Sequence, residues 1–196
     1  AVMTEKAAFT IRNNLDEVRS MGIQVVKDEG ELSKHSGTTI DFEEVNTSKI
    51  TKFLAEMGAD ASGIDVVAVA VQDHGVQPPG ESNRRFRMKK MQELLEKNPR
   101  VDALAYEEGQ LPECFLRMRS AIEACKKQLP NATPIVMDTA LSAILGCLED
   151  PVVVKSSRVL AMNFGNGHTL AAIVQDERIL GMMEHHTGML RYEPRK

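Results

Sequence analysis

Tryptophan is absent from this 196-residue chain, and aromatic residues make up only 4% of it. Its formal net charge is −4 at pH 7. Because nucleic-acid surfaces combine basic side chains with stacking aromatic rings, these shortages predict a protein without a nucleic-acid partner. Long hydrophobic runs are also lacking, since none approaches the roughly 18–20 apolar residues that cross a bilayer. No signal-peptide pattern opens the chain, so we expect a cytoplasmic protein with no membrane partner.

Cysteine is scarce, and its three copies, Cys114, Cys125 and Cys147, lie far apart. Their spacing offers neither a zinc knuckle nor a redox dithiol. The tight three-cysteine run with which a radical enzyme holds its iron–sulfur cluster is missing as well, so no such cluster is expected. We interpret the three cysteines as buried, reduced thiols.

The chain does contain alternating helical and strand patterns, followed by strands alone. Helical periodicity covers residues 10–21, 47–57, 84–98, 112–129 and 139–148. Strand-like runs cover residues 23–26, 39–42, 64–71, 102–106 and 134–137, and then 159–163, 169–175 and 179–184. We therefore predict one α/β domain over residues 1–196, with a mixed sheet flanked by helices in its helix-rich part, 1–150. An antiparallel hairpin-meander would follow at 157–190.

The run at residues 64–71 is almost continuously apolar, which suits a central strand buried on both faces. Polar residues follow it directly. Because ligands bind beyond the carboxyl ends of strands in open α/β sheets, we predict Asp73 and His74 as catalytic candidates and Gln72 as a secondary one.

A basic run lies on the next helix and comprises Arg84, Arg85, Arg87, Lys89 and Lys90. We interpret these charges as a solvated helix face. The alternative is attraction of a phosphate by the arginines, which makes Arg84 and Arg85 secondary site candidates.

Residues 163–169 read Asn-Phe-Gly-Asn-Gly-His-Thr and lie between two apolar runs. Such runs joined by a short turn rich in Gly and Asn predict a β-hairpin. Since glycine has no Cβ, its backbone N–H can approach an anion closely, and we interpret the turn as a phosphate-facing hairpin. An ordinary Asn-Gly turn is the alternative. The candidate phosphate-binding residues are Asn163, Gly165, Asn166, Gly167, His168 and Thr169.

Residues 136–146 and the hairpin together resemble the second lobe of the actin, sugar-kinase and Hsp-seventy ATPase superfamily. Ala140, Ala143 and Gly146 are similar to its small-residue connecting helix, and Gly165, Gly167 and Thr169 match its second phosphate hairpin. The Phe-Gly-Asn-Gly core also looks like the acetate-kinase loop. Asn163 replaces the usual Asp, and Asp138-Thr139 replaces Glu-Pro. The resemblance implies a ribonuclease-H-like lobe that binds ATP with Mg²⁺, with Asp138 as a further catalytic candidate.

The whole chain resembles a microbial family of unknown function whose members are often labelled pyruvate formate-lyase activating enzymes. The stretches that carry this resemblance are residues 7–12, 18–23, 69–75, 163–169 and 184–188. Longer members carry an amino-terminal Asp-x-Gly lobe, so we expect this chain to be a fragment of a two-lobed protein and to lack that partner lobe. The activase label implies clustered cysteines, and we do not adopt it as a function.

Three functions stay open on this reading. The first is binding of a small-molecule phosphate or nucleotide, kinase- or ATPase-like once the amino-terminal lobe is present. The second is a metal-dependent hydrolase that uses His and Asp at strand ends, since imidazole and carboxylate suit zinc, iron or manganese. The adjacent His185 and His186 would point to opposite faces of a strand, and with Glu184 they are secondary candidates; no metal ligand is assigned. The third is a non-catalytic regulatory or scaffold domain, and homo-oligomerisation is left open.

Overall fold

The computed structural model describes residues 1–9, 11–12, 14–40, 43–78 and 80–189. The strands there are β1 Val2–Thr4, β2 Gln24–Val26, β3 Val66–Ala70, β4 Ala105–Tyr106, β5 Thr133–Met137, β6 Arg158–Phe164, β7 His168–Gln175 and β8 Arg178–His186. The helices are α1 Glu5–Ala8, α2 Leu15–Ser20, α3 Glu29–Leu32, α4 Thr47–Glu56, α5 Asn83–Lys97, α6 Leu116–Gln128 and α7 Thr139–Leu148. Short 3₁₀ turns cover Val101–Leu104, Val153–Lys155 and Thr187–Met189.

The described strands form three sheets, and the predicted mixed sheet in the helix-rich part is confirmed by one of them. Strands β1 and β2 pair in parallel. A second sheet has the order β3-β5-β4, with β3 parallel and β4 antiparallel to β5. The third sheet is the antiparallel meander β6-β7-β8. The α/β class and the carboxyl-terminal meander are confirmed, whereas the ribonuclease-H-like arrangement stays a prediction.

Local chemistry explains where the main elements begin and turn. The Asn46 side chain accepts a hydrogen bond from the Lys49 N–H and starts α4. The Asp138 carboxylate does the same for Ala140 at the start of α7. Helix α2 is capped by Asn14. Thr10, where the predicted helical pattern begins, and part of the strand-like run at 39–42 lie outside the described residues.

The buried core consists of two adjoining clusters. One packs α6 against β5, with Phe115, Met118 and Val136 among its members. The other packs α7 against the inner face of the meander, with Ile144 and Leu170. Together the two clusters hold β5, α7 and the meander in contact, and the candidate site lies where these elements meet α5.

Several apolar faces that the sequence pattern predicts to be buried are exposed. Strand β3 is a sheet edge paired with β5, and its Val66 is 51% exposed, so the expected burial on both faces is wrong. Helix α4 has the predicted apolar stripe, but its Phe53 is 59% exposed. On the outer face of the meander, Leu160 and Phe164 are also exposed. None of the helices in the described part of the chain is both long and apolar enough to cross a membrane.

Candidate functional site

A buried arginine lies at the centre of the molecule. Arg87 of α5 is 0% exposed. Its Nη2 donates to Asp138 Oδ1 at 2.7 Å and its Nε to Oδ2 at 3.2 Å, while Nη1 donates to Glu184 Oε2. Burial alone would lower the pKa of Arg87, but the charges and hydrogen bonds of the two carboxylates raise it. The predicted solvated position of Arg87 is therefore wrong, because its partners come from distant parts of the chain.

Glu184 connects this arginine to a histidine. Its second oxygen, Oε1, lies 2.5 Å from Nδ1 of His168, and both atoms are buried. The two atoms are in close contact, but neither has a hydrogen-bonding partner among the described residues. Arg84 adds a further link, since its Nη2 donates to the Glu184 backbone carbonyl at 2.7 Å.

Three imidazoles meet at this point. The ring centroid of His168 lies 6.0 Å from that of His74 and 5.4 Å from that of His186. The pKa of His74 is lowered chiefly by burial, then by the charges of Arg87 and His168, against the opposing carboxylates of Glu184 and Asp138. The structure therefore brings together His74, His168, His186, Glu184 and Arg84 from the predicted set.

Other predicted residues lie apart from this group or have structural partners. His185 lies opposite Thr169 in the pairing of β7 with β8. Because neighbouring residues of a strand point to opposite faces, the His185 side chain is on the other face of β8 from Glu184. Arg85 is exposed to solvent. Gln72 accepts a hydrogen bond from Arg117 through its backbone carbonyl at 2.7 Å.

The two aspartates predicted as catalytic candidates are held by hydrogen bonds. Asp73 Oδ1 accepts from the Gly75 N–H at 2.8 Å, and Oδ2 accepts from the Met118 N–H in the first turn of α6 at 3.0 Å. Both oxygens of Asp138 accept from Arg87, and Oδ1 also caps α7. These contacts fix the loop after β3 and the start of two helices.

The hairpin at residues 163–169 is confirmed, and its turn is held from one side by Thr187, the first residue after β8. The Gly165 N–H donates to the His168 carbonyl at 3.0 Å. The Thr187 hydroxyl donates to the Gly165 carbonyl at 2.6 Å, and the Thr187 N–H donates to the Gly167 carbonyl at 3.0 Å. Thr169 is buried, with its hydroxyl 3.1 Å from that of Thr187. A phosphate role for the Thr169 side chain would therefore require it to leave this contact.

Two N–H groups in the exposed part of the turn have no hydrogen-bonding partner among the described residues. Asn166 and Gly167 are exposed, and within the described residues their N–H groups donate to no carbonyl or side chain. Adjacent free N–H groups form an anion-binding concavity in many proteins. This part of the predicted phosphate hairpin is consequently available to a ligand.

A cleft of about 510 Å³ lies beyond the carboxyl end of β3. Helices α5 and α6 begin at its wall, because Asn83 and Leu116 are their first residues and line it. His74 and Arg12 line it as well. His74 therefore belongs both to the cleft and to the group of histidines at the hairpin.

Comparison with known proteins places the chain in a family. The family described as "Putative pyruvate format-lyase activating enzyme (DUF1786)" matches residues 1–194. The chain belongs to this family. No curated protein and no solved structure matches the chain.

The family's label names an activity whose iron–sulfur cluster needs converging thiolates. In this member Cys125 is buried within α6, Cys114 is half-buried before it, and Cys147 is exposed near the end of α7. The exposure of Cys147 corrects the prediction of three buried thiols, and burial raises the pKa of both Cys114 and Cys125. The thiols therefore do not form a cluster-binding set. More generally, the described residues contain no group of three or more His, Cys, Asp or Glu side chains placed to hold a metal ion.

The sequence did not identify three residues that line the cleft: Arg12, Asn83 and Arg117. It also did not reveal that Arg87 is a buried structural residue. Arg87 had a readable signal, because it lies four residues before Met91 and seven before Leu94 on the apolar stripe of α5. A charge on that stripe predicts a buried ion pair. The other three carry no comparable pattern, since only the fold brings them to one cleft.

Proposed function

We propose that this protein binds a small phosphate-bearing molecule in the cleft beyond β3, with the 165–167 turn at the edge of the site. The observation that carries the proposal is the position of His74, which lines the cleft and lies 6.0 Å from His168 at the end of the turn. Through His74 the cleft and the free N–H groups of Asn166 and Gly167 become parts of one site.

Electrostatics favour an anion in this cleft. The amino termini of α5 and α6 both border it, and that of α5 carries the partial positive charge of its helix dipole, whereas Asp73 already accepts a hydrogen bond from the Met118 N–H at the start of α6. Arg12 is a largely exposed cation in the lining, and its Nε lies 3.8 Å from Oε2 of Glu17. Arg117 also lines the cleft, but its charge is paired with Glu44. Arg12 is accordingly the cation best placed to meet a phosphate.

The finer form of the proposal concerns nucleotides. ATP with Mg²⁺ is the ligand that the resemblance of the hairpin to actin-like ATPase lobes suggests. In that form the chain is a ribonuclease-H-like lobe, and an amino-terminal lobe supplies the second phosphate clamp of a kinase- or ATPase-like protein. Binding would then depend on positioning and electrostatics.

Calorimetric titration with inorganic phosphate, and with ATP in the presence and absence of Mg²⁺, tests the proposal. We expect Arg12→Gln to weaken phosphate binding by about 10-fold or more, because a hydrogen bond to a charged group contributes roughly 1.5–3 kcal/mol. Gly167→Ala should also weaken it, since a methyl group there meets no protein atom within 4 Å and would face the ligand.

Arg158→Gln is the matched control, because Arg158 is exposed at the end of β6 opposite to the turn. It should leave the affinity unchanged. Absence of binding by the unaltered protein to phosphate and to ATP would refute the proposal. That result would favour the scaffold function, which the exposed apolar residues Leu160, Phe164 and Met183 on the outer meander face support.

A further inference from the structure

We propose that His168 is a general base, oriented by Glu184, that activates water for the hydrolysis of a phosphate ester or anhydride held in the cleft. This inference rests on the proposed function, because it requires a phosphate group beside the hairpin turn. It adds an activity, a catalytic residue and a positioning residue to that site.

The contact with Glu184 determines which nitrogen of His168 carries the hydrogen. The Glu184 side chain is 0% exposed, and its Oε2 accepts a hydrogen bond from Nη1 of Arg87. Oε1 lies 2.5 Å from Nδ1 of His168, although the two atoms are not hydrogen-bonded in this geometry. At that distance the carboxylate oxygen would repel a lone pair on Nδ1 and attract an N–H there, so we place the hydrogen on Nδ1 and the lone pair of the neutral ring on Nε2.

The lone pair on Nε2 faces accessible space. Nδ1 of His168 is buried, yet the side chain as a whole is 21% exposed. Nε2 has no hydrogen-bonding partner among the described residues, and it is not one of their buried atoms without a partner. It therefore lies on the accessible edge of the ring, where a water molecule can reach it.

The carboxylate that orients His168 is itself rigidly held. Arg87 bonds Asp138 through two nitrogens and Glu184 through the third, and Arg84 bonds the Glu184 carbonyl. Catalytic groups need such support, because a small misplacement costs much of the rate. The buried ion pairs thus have a use at the site, which is to fix the angle of the His168 ring.

The reaction is a displacement at phosphorus. Nε2 of His168 takes a proton from water while the water oxygen forms a bond to phosphorus. The bond from phosphorus to the leaving oxygen breaks, and that oxygen departs with the electron pair and receives the proton from Nε2. The products are inorganic phosphate and an alcohol or a shorter phosphate, and His168 returns to its starting state. The N–H groups of Asn166 and Gly167 are placed to stabilise the charge on the phosphoryl oxygens.

Phosphate release from p-nitrophenyl phosphate and from inorganic pyrophosphate, measured across pH, tests the inference. We expect His168→Gln to lower kcat by about 100-fold or more, the usual contribution of a general base, with little change in KM. The acid limb of the pH–rate profile should disappear in the same variant. His35→Gln is the control, because His35 is an exposed loop residue, and it should behave as the unaltered protein.

Binding and hydrolysis separate the two proposals. If the protein binds phosphate but releases none from either probe, or if His168→Gln retains full kcat, the catalytic inference is wrong and the binding site stands. If the protein does not bind phosphate at all, both the proposed function and the catalytic inference that rests on it are wrong. Nitrogen-15 NMR of the unaltered protein gives a readout that needs no substrate. Neutral His168 should carry its hydrogen on Nδ1, and a hydrogen on Nε2 would overturn the inference.

Discussion

Arg87 and Asp138 form a bidentate pair in which neither side chain is more than 3% exposed. The pair joins the first half of α5 to the junction between β5 and α7. Glu184 adds β8 to the same junction, so that one guanidinium faces two buried carboxylates. Each carboxylate depends on the arginine, because removing a charge from water is costly unless an opposite charge compensates it.

Replacing this arginine should destabilise the protein strongly. In Arg87→Met two carboxylates stay buried without a cation, and breaking a buried pair in this way costs about 3–5 kcal/mol. The free energy of unfolding from urea titration measures the loss. Arg19→Met is the control, because Arg19 pairs with Asp16 at the surface and such a pair contributes about 0.3–0.5 kcal/mol. Equal losses in the two variants would contradict the central role of Arg87.

The stability of the protein should fall in mild acid because of His74. Its pKa lies below the usual value near 6.5 in the folded state, so the unfolded state binds more protons as the pH falls. The contribution of neutral His74 is fully present above about pH 6.5 and is lost as the pH falls toward the lowered pKa. The free energy of unfolding, measured between pH 5 and pH 7.5, should therefore decline less steeply in His74→Gln. Parallel curves for the two proteins would disprove the effect.

Local chemistry made most elements predictable. Asn46 and Asp138 directly precede the helical patterns at 47–57 and 139–148, and in the structure they cap these helices. The meander was predictable from its alternating pattern, and Asp176 and Glu177 form its second turn with φ of 49° and 61°. Where partners come from nearby residues, the sequence is sufficient, because the pattern itself contains the cause.

Long-range contacts explain what the sequence did not reveal. Arg87 meets Asp138 across 51 residues and Glu184 across 97, and a basic run gives no indication of either partner. The apolar sequence of β3 does not distinguish a strand that is buried on both faces from one that, as here, has an exposed Val66. The hairpin was predicted, but the contact of Thr169 with Thr187 depends on the pairing of β7 with β8.

Tyr106 should tolerate the loss of its hydroxyl. The oxygen is buried and has no hydrogen-bonding partner among the described residues, and burial, with Cys114, raises its pKa to about 12. We expect Tyr106→Phe to change the free energy of unfolding by less than about 1 kcal/mol, because no protein hydrogen bond is lost. Phe115→Ala, which removes the neighbouring ring, should cost about 3–5 kcal/mol.

The alternative outcome for Tyr106 is informative. A cavity of about 10 Å³, lined also by Asp73 and Asp138, lies beside the ring. That volume is about the minimum for one water molecule. A loss of about 2 kcal/mol or more in Tyr106→Phe would contradict the prediction and would show that the hydroxyl has a partner in the folded protein.

The two glycines of the hairpin turn should respond differently to alanine. A Cβ on Gly165 would lie 2.8 Å from the His168 carbonyl oxygen, and that oxygen cannot move freely because it accepts the Gly165 N–H. We expect Gly165→Ala to cost about 1–3 kcal/mol, as other overpacked substitutions do. A Cβ on Gly167 would meet no atom within 4 Å, and its φ is not left-handed. Gly167→Ala should therefore change stability by less than about 0.5 kcal/mol.

Thermal and urea unfolding of the two variants measure this difference, and each serves as the control for the other. Because the His168 carbonyl must shift to admit the new Cβ, Gly165→Ala should also move the His168 ring away from Glu184. The imidazole NMR signals of His168 should then change in Gly165→Ala and stay in place in Gly167→Ala. Equal stability losses, or unchanged His168 signals in Gly165→Ala, would show that the turn does not fix the histidine as the structure indicates.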